Sequence, residues 1–142
     1  MIEFEDFKTK GELVSRLIAD QDVPCQTAAE AEKYIREHLP KESYFQKSIM
    51  DEIRRLIPSA FVWKAVAGPY GRAGIPDVCA VIHGRYYGFE VKRPFVGVLS
   101  WIQKRTIRQI QAAGGRAYVV SWPREAAEAL KDEIGVEGIN GR

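Results

Sequence analysis

Apolar residues in the first 40 positions recur at helical spacing in two short runs. Leu13, Leu17 and Ile18 form one stripe; Ala31, Tyr34, Ile35 and Leu39 form another. A capping-box pair opens each run, Thr9 with Glu12 and Thr27 with Glu30, so two short helices are predicted. Asp22 to Gln26, which contains Pro24, links them, and Pro40 ends the second. A third helix is predicted from Glu42 to Ile57, stopping before Pro58. Phe45, Ile49, Ile53, Leu56 and Ile57 supply its buried face.

Beyond residue 60 the period shortens. Phe61 to Ala67 reads as a strand, followed by the glycine-rich loop Gly68 to Gly74 (GPYGRAG). Pro76 to Ile82 is a second strand, His83-Gly84-Arg85 a turn, and Tyr86 to Val91 a third strand. After a loop at Pro94 to Val98, the helical period returns from Ser100 to Ala113. Ile102, Thr106, Ile110 and Ala113 lie on one side of that helix, and Lys104, Arg105 and Arg108 on the other. Gly114-Gly115 closes it. Ala117 to Trp122 is a fourth strand and Arg124 to Ile134 a last helix. The order from residue 42 is αβββαβα, an α/β pattern, with no internal repeat.

Composition sets limits without choosing a function. At 142 residues the chain suits one domain, and 46% hydrophobic with 28% charged residues is a globular mixture. No apolar run nears the roughly 20 residues of a membrane span, and Met1 to Lys10 lacks the order of a secretory signal. Cys25 and Cys79 are far apart, and His38 and His83 are the only histidines. A disulfide framework and thiolate or histidine metal sites are thereby excluded, and a reducing, cytoplasmic setting is expected.

Charge changes the picture more. Residues 1–60 carry 9 Lys/Arg and 12 Asp/Glu, whereas residues 61–142 carry 12 and 7. Between Lys64 and Arg124 there are 10 basic residues and 2 acids, Asp77 and Glu90. A stretch this basic favours a polyanionic partner, and its two carboxylates call for a reason.

Strand alternation points Glu90 and Lys92 to one face, and the hairpin brings Asp77 beside Glu90. Two adjacent carboxylates repel, and a divalent cation removes the conflict. Magnesium uses oxygen ligands and commonly only one or two carboxylates, so the carbonyl of Val91 is an available third donor. Bound metal acidifies water and neutralises charge developing on phosphorus, and a lysine alongside positions that water or the oxyanion. Lys64, Tyr70, Arg72, Arg93, Lys104, Arg105 and Arg108 are the expected phosphate contacts, by clustering rather than singly.

At these residues the chain resembles a family. Pro76-Asp77 followed by Glu90-Val91-Lys92 resembles the PD-(D/E)xK nuclease pattern, and the wider stretch is similar to its VRR-NUC branch. The matching pieces are Glu42 with Gln46, GPYGRAGIPD at 68–77, FEVKRP at 89–94, and Leu99-Ser100 followed by Gln103. They span about residues 42–122. The resemblance implies a restriction-endonuclease-like αβββαβ core with a small mixed sheet flanked by helices. Residues 1–40 would then be an N-terminal helical extension and 41–142 the nuclease domain. It implies Mg²⁺- or Mn²⁺-dependent phosphodiester hydrolysis, with Asp77 and Glu90 as metal ligands and Lys92 as the catalytic lysine. By the same resemblance Gln103 completes the site and Glu42 reaches the metal directly or through water. Compact members resemble Holliday-junction resolvases, which implies a homodimer acting on branched or flapped DNA; on analogy, the short chain suits a phage or prophage.

Rival readings exist for several residues. Glu90 with Lys92 alone is an ordinary solvent-face charge pair on a strand, and Asp77 alone a turn or strand-start residue. Ser100 with Gln103 is itself a capping box, and Ser43 with Gln46 repeats the spacing. Glu42 lies on the helical line of Ile49 and Ile53 and therefore points inward, while Glu52 lies off that line. The glycine loop lacks the ending of a nucleotide loop and leads into a strand. Trp63, Trp101 and Trp122 read as core or interface rather than as platforms for stacked bases. Against the nuclease stands a non-catalytic nucleic-acid-binding module of the same fold, and a dimeric structural protein that binds metal for stability.

Overall fold

The helix Glu42–Leu56 places an isoleucine or phenylalanine on one line at every fourth residue, and Phe45, Ile49 and Ile53 are all buried, with Ile57 just past its end. The computed structural model describes residues 2–23, 25–66 and 71–140, with side chains up to residue 137. Its elements are α1 (Lys10–Ala19), α2 (Ala28–His38), α3 (Glu42–Leu56), β1 (Phe61–Lys64), β2 (Val78–Ile82), β3 (Arg85–Val91), α4 (Trp101–Ala112), β4 (Arg116–Val120), α5 (Pro123–Ala129) and α6 (Lys131–Asn140), after a short 3₁₀ turn at Phe4–Asp6.

The strands form one sheet in the order β1-β2-β3-β4. The first two pairings are antiparallel and β3 pairs with β4 in parallel, with α4 as the crossover that a parallel pair requires. The β2–β3 hairpin turns on His83 and Gly84 alone, both at positive φ (48° and 79°), the two-residue turn whose twist suits a hairpin. Alternation then divides the sheet. Val78, Ala80, Ile82, Tyr87, Phe89, Val91 and Val120 share one core with Phe45, Ile49 and Ile53 of α3. Cys79, Glu90 and Ala117, also buried, lie outside that core and so belong to the opposite face. This second face is covered by α4. Gly74 (φ +83°) lies so close to it that a Cβ would meet Ile102 Cγ2 at 2.6 Å and Thr106 Oγ1 at 2.7 Å.

Residues 1–40 build α1 and α2 with the expected caps: Thr9 accepts from the Glu12 N–H and Thr27 from the Glu30 N–H. Leu13, Leu17, Ala31, Ile35 and Leu39 enter the same core as α3, whereas Ile18 is 40% exposed. Arg93, expected on the DNA side, is committed here. Its Nε donates to Pro40 O at 3.0 Å and its Nη2 to Arg36 O at 2.7 Å and Leu39 O at 3.1 Å. The guanidinium thus satisfies carbonyls left over at the C-terminus of α2 and ties that helix to the exit of β3.

The last helix differs from expectation. No glycine or proline interrupts 124–134, yet the chain breaks between α5 and α6 at Leu130. On either side of the break the chain is held by tertiary contacts: Ala126 and Leu130 are fully buried, Glu133 contacts His83, and Glu137 accepts from Ser59. The second strand begins at Val78 rather than Pro76, and Ser43 lies inside α3, with Lys41 at the N-cap, so no capping box forms at Ser43. Ala67 and the first residues of the glycine loop, including Tyr70, lie outside the described residues. Among the described residues no helix is long and apolar enough to cross a membrane.

Charge-assisted hydrogen bonds contribute about 1.5–3 kcal/mol each when sheltered and less when exposed. Arg93→Ala is therefore expected to lower unfolding stability by about 2 kcal/mol in urea titration. A change within about 0.5 kcal/mol, the range of an ordinary surface substitution, would refute the anchoring role.

Candidate active site

The register that pairs Val78 with Phe89 sets Asp77 opposite Glu90 one step further along, where β2 has not yet begun. No backbone partner from β2 meets the Val91 N–H there. The Asp77 side chain supplies one instead, Oδ2 accepting from Val91 N at 2.9 Å. The Asp77 carbonyl meanwhile accepts from Ala65 N at 2.8 Å, so this residue is held on both sides. In an extended strand a residue's N–H and C=O point to the same edge, which puts the Val91 carbonyl on the side of Asp77.

Glu90 is 1% exposed. Its Oε1 accepts from Gln103 Nε2 at 2.7 Å and lies 3.5 Å from Lys92 Nζ. Its Oε2 is buried with no hydrogen-bond partner, alone in that condition among the described side chains. Burial, and then the neighbouring Asp77, push the Glu90 carboxyl up to about 8 from an ordinary value near 4.5. A buried acceptor without a donor, beside a second carboxylate and a backbone carbonyl, is an all-oxygen donor set of the kind hard divalent cations take. The residues present therefore fit such an ion.

Gln103 joins the two roles that its spacing left in competition. Its Oε1 accepts from Ser100 N at 2.9 Å while Ser100 Oγ accepts from Gln103 N at 3.2 Å, completing the capping box of α4. The cap fixes the amide orientation, because only the oxygen can accept from the Ser100 N–H. The NH₂ is thereby turned toward Glu90.

Glu42 opens α3, and its Oε1 accepts from Gln46 Nε2 at 3.2 Å. Among the described residues no three of His, Cys, Asp and Glu gather as a metal could use them. Two carboxylates adjoin at this strand end, those of Asp77 and Glu90. Glu52 pairs with Arg55.

Lys64, Arg72, Lys104, Arg105 and Arg108 are all exposed, and among the described residues none has a carboxylate within 4 Å. Asp77 and Arg72 line a groove of about 280 Å³ together with Ala65, Val66 and residues 71–75. A larger groove of about 700 Å³ runs between β4 and the last two helices. Glu125, Glu128 and Asp132 line it together with Arg124 and Lys131. A separate polar cluster, His83 between Glu133 and Glu137 with Ser59 on Glu137, escaped the sequence reading. Its partners lie 50 and 78 residues apart, and no local pattern joins them.

The Glu90 carboxyl supplies a test through stability. Its folded value is raised, so the native state keeps a proton that the unfolded chain releases. That contribution is fully present below about pH 4.5 and is lost as pH rises through about 8. In EDTA, the melting temperature should fall between about pH 6 and pH 8.5 by more in the parent than in Glu90→Gln. Mg²⁺ at the higher pH should raise the parent's value and leave the variant's nearly unchanged. Equal pH slopes for the two proteins would refute this account of Glu90.

No family model matches the sequence, and no curated protein does. A solved structure described as a VRR_NUC domain is similar with a TM-score of 0.53. The two are 22% identical, over 63% of this chain and 94% of that one. The four-stranded mixed sheet with α3 on one face and α4 on the other, carrying Asp77, Glu90 and Lys92 at one end, is thus built on the fold of a VRR_NUC domain.

Proposed function

We propose that this chain is a VRR-NUC nuclease: a divalent-metal-dependent DNA endonuclease that hydrolyses phosphodiester bonds, with Mg²⁺ or Mn²⁺ as cofactor. The observation that carries the reading is the buried Oε2 of Glu90, which has no hydrogen-bond partner, on a residue that stands beside Asp77. A purely structural glutamate would be expected to have both oxygens satisfied or exposed.

Asp77, Glu90 and the Val91 carbonyl hold the ion in this reading. When bound it would acidify a water and offset charge gathering on the phosphate. The chain's own groups do the rest. Gln103 holds Glu90 Oε1, which fixes the orientation of the carboxylate and leaves Oε2 for ligation. Lys92, a half-buried ammonium beside Glu90, donates to the attacking oxygen or to a non-bridging phosphate oxygen. Arg72 at the groove and Lys104, Arg105 and Arg108 on α4 draw in the sugar-phosphate backbone. Branched or flapped DNA as substrate and a homodimer belong to the same proposal, since resolving a four-way junction takes two sites. So does the division into a helical extension, residues 1–40, and a nuclease domain, residues 41–142.

Incubation of a panel of fork, flap, four-way junction and plain duplex with Mg²⁺ or Mn²⁺ is expected to yield cleavage of at least one branched form. Asp77→Ala and Lys92→Ala should each reduce the rate by roughly 10²-fold or more, while folding and DNA binding in EDTA persist. Binding without cleavage of any substrate in either metal would make the chain a nucleic-acid-binding module. Arg105→Glu with Arg108→Glu should weaken binding and reduce its salt dependence; unchanged affinity would move the DNA face elsewhere.

A further inference from the structure

Trp101 opens α4 and is 67% exposed, although tryptophan is among the costliest side chains to leave in water. Its surroundings are not those of a buried anchor. Val98 is 79% exposed and Ile102 47% exposed, so the indole stands in an apolar spot at the surface. The Arg105 guanidinium, one turn further along, lies over the ring at 5.6 Å from its centroid. That cation–π contact restrains the indole while leaving the guanidinium hydrogen-bond donors available. Lys104, Arg105 and Arg108 project from the same outer side of the helix. The patch and the candidate site share the first turn of α4: Trp101 stands on its outer side, while Gln103 on its sheet-facing side donates to Glu90.

We infer that Trp101, held by Arg105 on the first turn of the helix that carries Gln103, is a stacking platform for an unpaired nucleobase. The substrate feature selected at this site is then a junction between duplex and single strand. This inference rests on the nuclease reading for the identity of the site that shares this turn. The chemistry is that of single-strand recognition: an aromatic face for the base and flanking cations for the backbone. In uninterrupted duplex the bases are already stacked on one another, and Trp101 has no free base face to meet. A second copy of this chain is the less suitable occupant. A self-complementary contact through this patch would press Lys104, Arg105 and Arg108 against their own copies, where like charges repel.

The test uses the full chain in EDTA, with fluorescence anisotropy on three labelled probes: oligothymidylate, a blunt hairpin duplex, and the same hairpin with a single-stranded overhang. Stacking of one base contributes about 1–3 kcal/mol, so Trp101→Ala should weaken binding to the single-stranded and overhang probes by about fivefold or more. Blunt-duplex affinity should stay within about twofold, and Trp101→Phe should restore part of the loss. Equal weakening on all three probes, or none on any, would overturn the platform. So would a shift in sedimentation from dimer to monomer on Trp101→Ala, which would make the patch a contact between copies. A Trp101-dependent single-strand preference without cleavage by the parent would leave the platform standing and sink the nuclease reading alone. Cleavage by the parent with affinities indifferent to Trp101 would do the reverse, and binding to none of the probes would end both.

Discussion

Removing a carboxylate from water costs several kcal/mol unless charge and hydrogen bonds replace what the solvent supplied. Glu90 meets that cost only in part. Gln103 and Lys92 attend to one oxygen, the other has no partner, and Asp77 adds a second negative charge across the strand pair. The remainder of the fold can be read as what holds this arrangement in place. β3 is central in the sheet and buried along most of its length, so Glu90 cannot swing out to water. Asp77 is pinned by the Val91 N–H and cannot turn away. A proton relieves the strain in the isolated chain, which is why burial and Asp77 push the Glu90 carboxyl upward; a divalent cation would relieve it more fully.

The two faces of the sheet divide the labour. The α3 face is dry and aliphatic, and α1, α2 and α5 add to the same core. The α4 face carries the polar end of β3 and the glycine whose missing side chain lets the loop after β1 lie against the helix. One turn of α4 then serves three ends at once. Ser100 caps it, Gln103 turns inward to Glu90, and Trp101 turns outward under Arg105. A helix can do this because residues two apart project to nearly opposite sides. Arg93 shows the same economy across the domain, since it leaves the end of the strand that carries the site and fastens the last turn of α2.

Charge is distributed along the same division. Many basic residues of the first 60 are neutralised within the chain, Lys10 and Arg36 on Glu32, Lys47 on Asp51 and Arg55 on Glu52. Beyond residue 60, Arg85 pairs with Glu133 and Lys92 with Glu90, but Lys64, Arg72, Lys104, Arg105 and Arg108 have no such partners among the described residues. In the proposed reading, an excess of unpaired cations around buried Glu90 and half-buried Asp77 would draw in phosphates at long range.

Much of this was legible in the chain. Helical period and caps placed α1, α2, α3 and α4, and strand alternation with a short turn placed the β2–β3 hairpin and so the approach of Asp77 to Glu90. These are local rules, with the deciding atoms within a few residues of one another. Other features were settled only by folding. Glu42 is half-buried, as its helical phase suggests, yet its carboxylate takes a hydrogen bond from Gln46 one turn along its own helix, because phase fixes a direction about the helix axis and not which groups wait there. Arg93 looked like one cation among many until the end of α2 arrived beside it. The break at Leu130 has no breaker residue, and the His83 cluster joins segments 50 or more residues apart. Spacing could pose the choice between cap and ligand for Gln103 but could not resolve it, since one amide has two ends and only the packing of α4 on β3 brings the second within reach of Glu90.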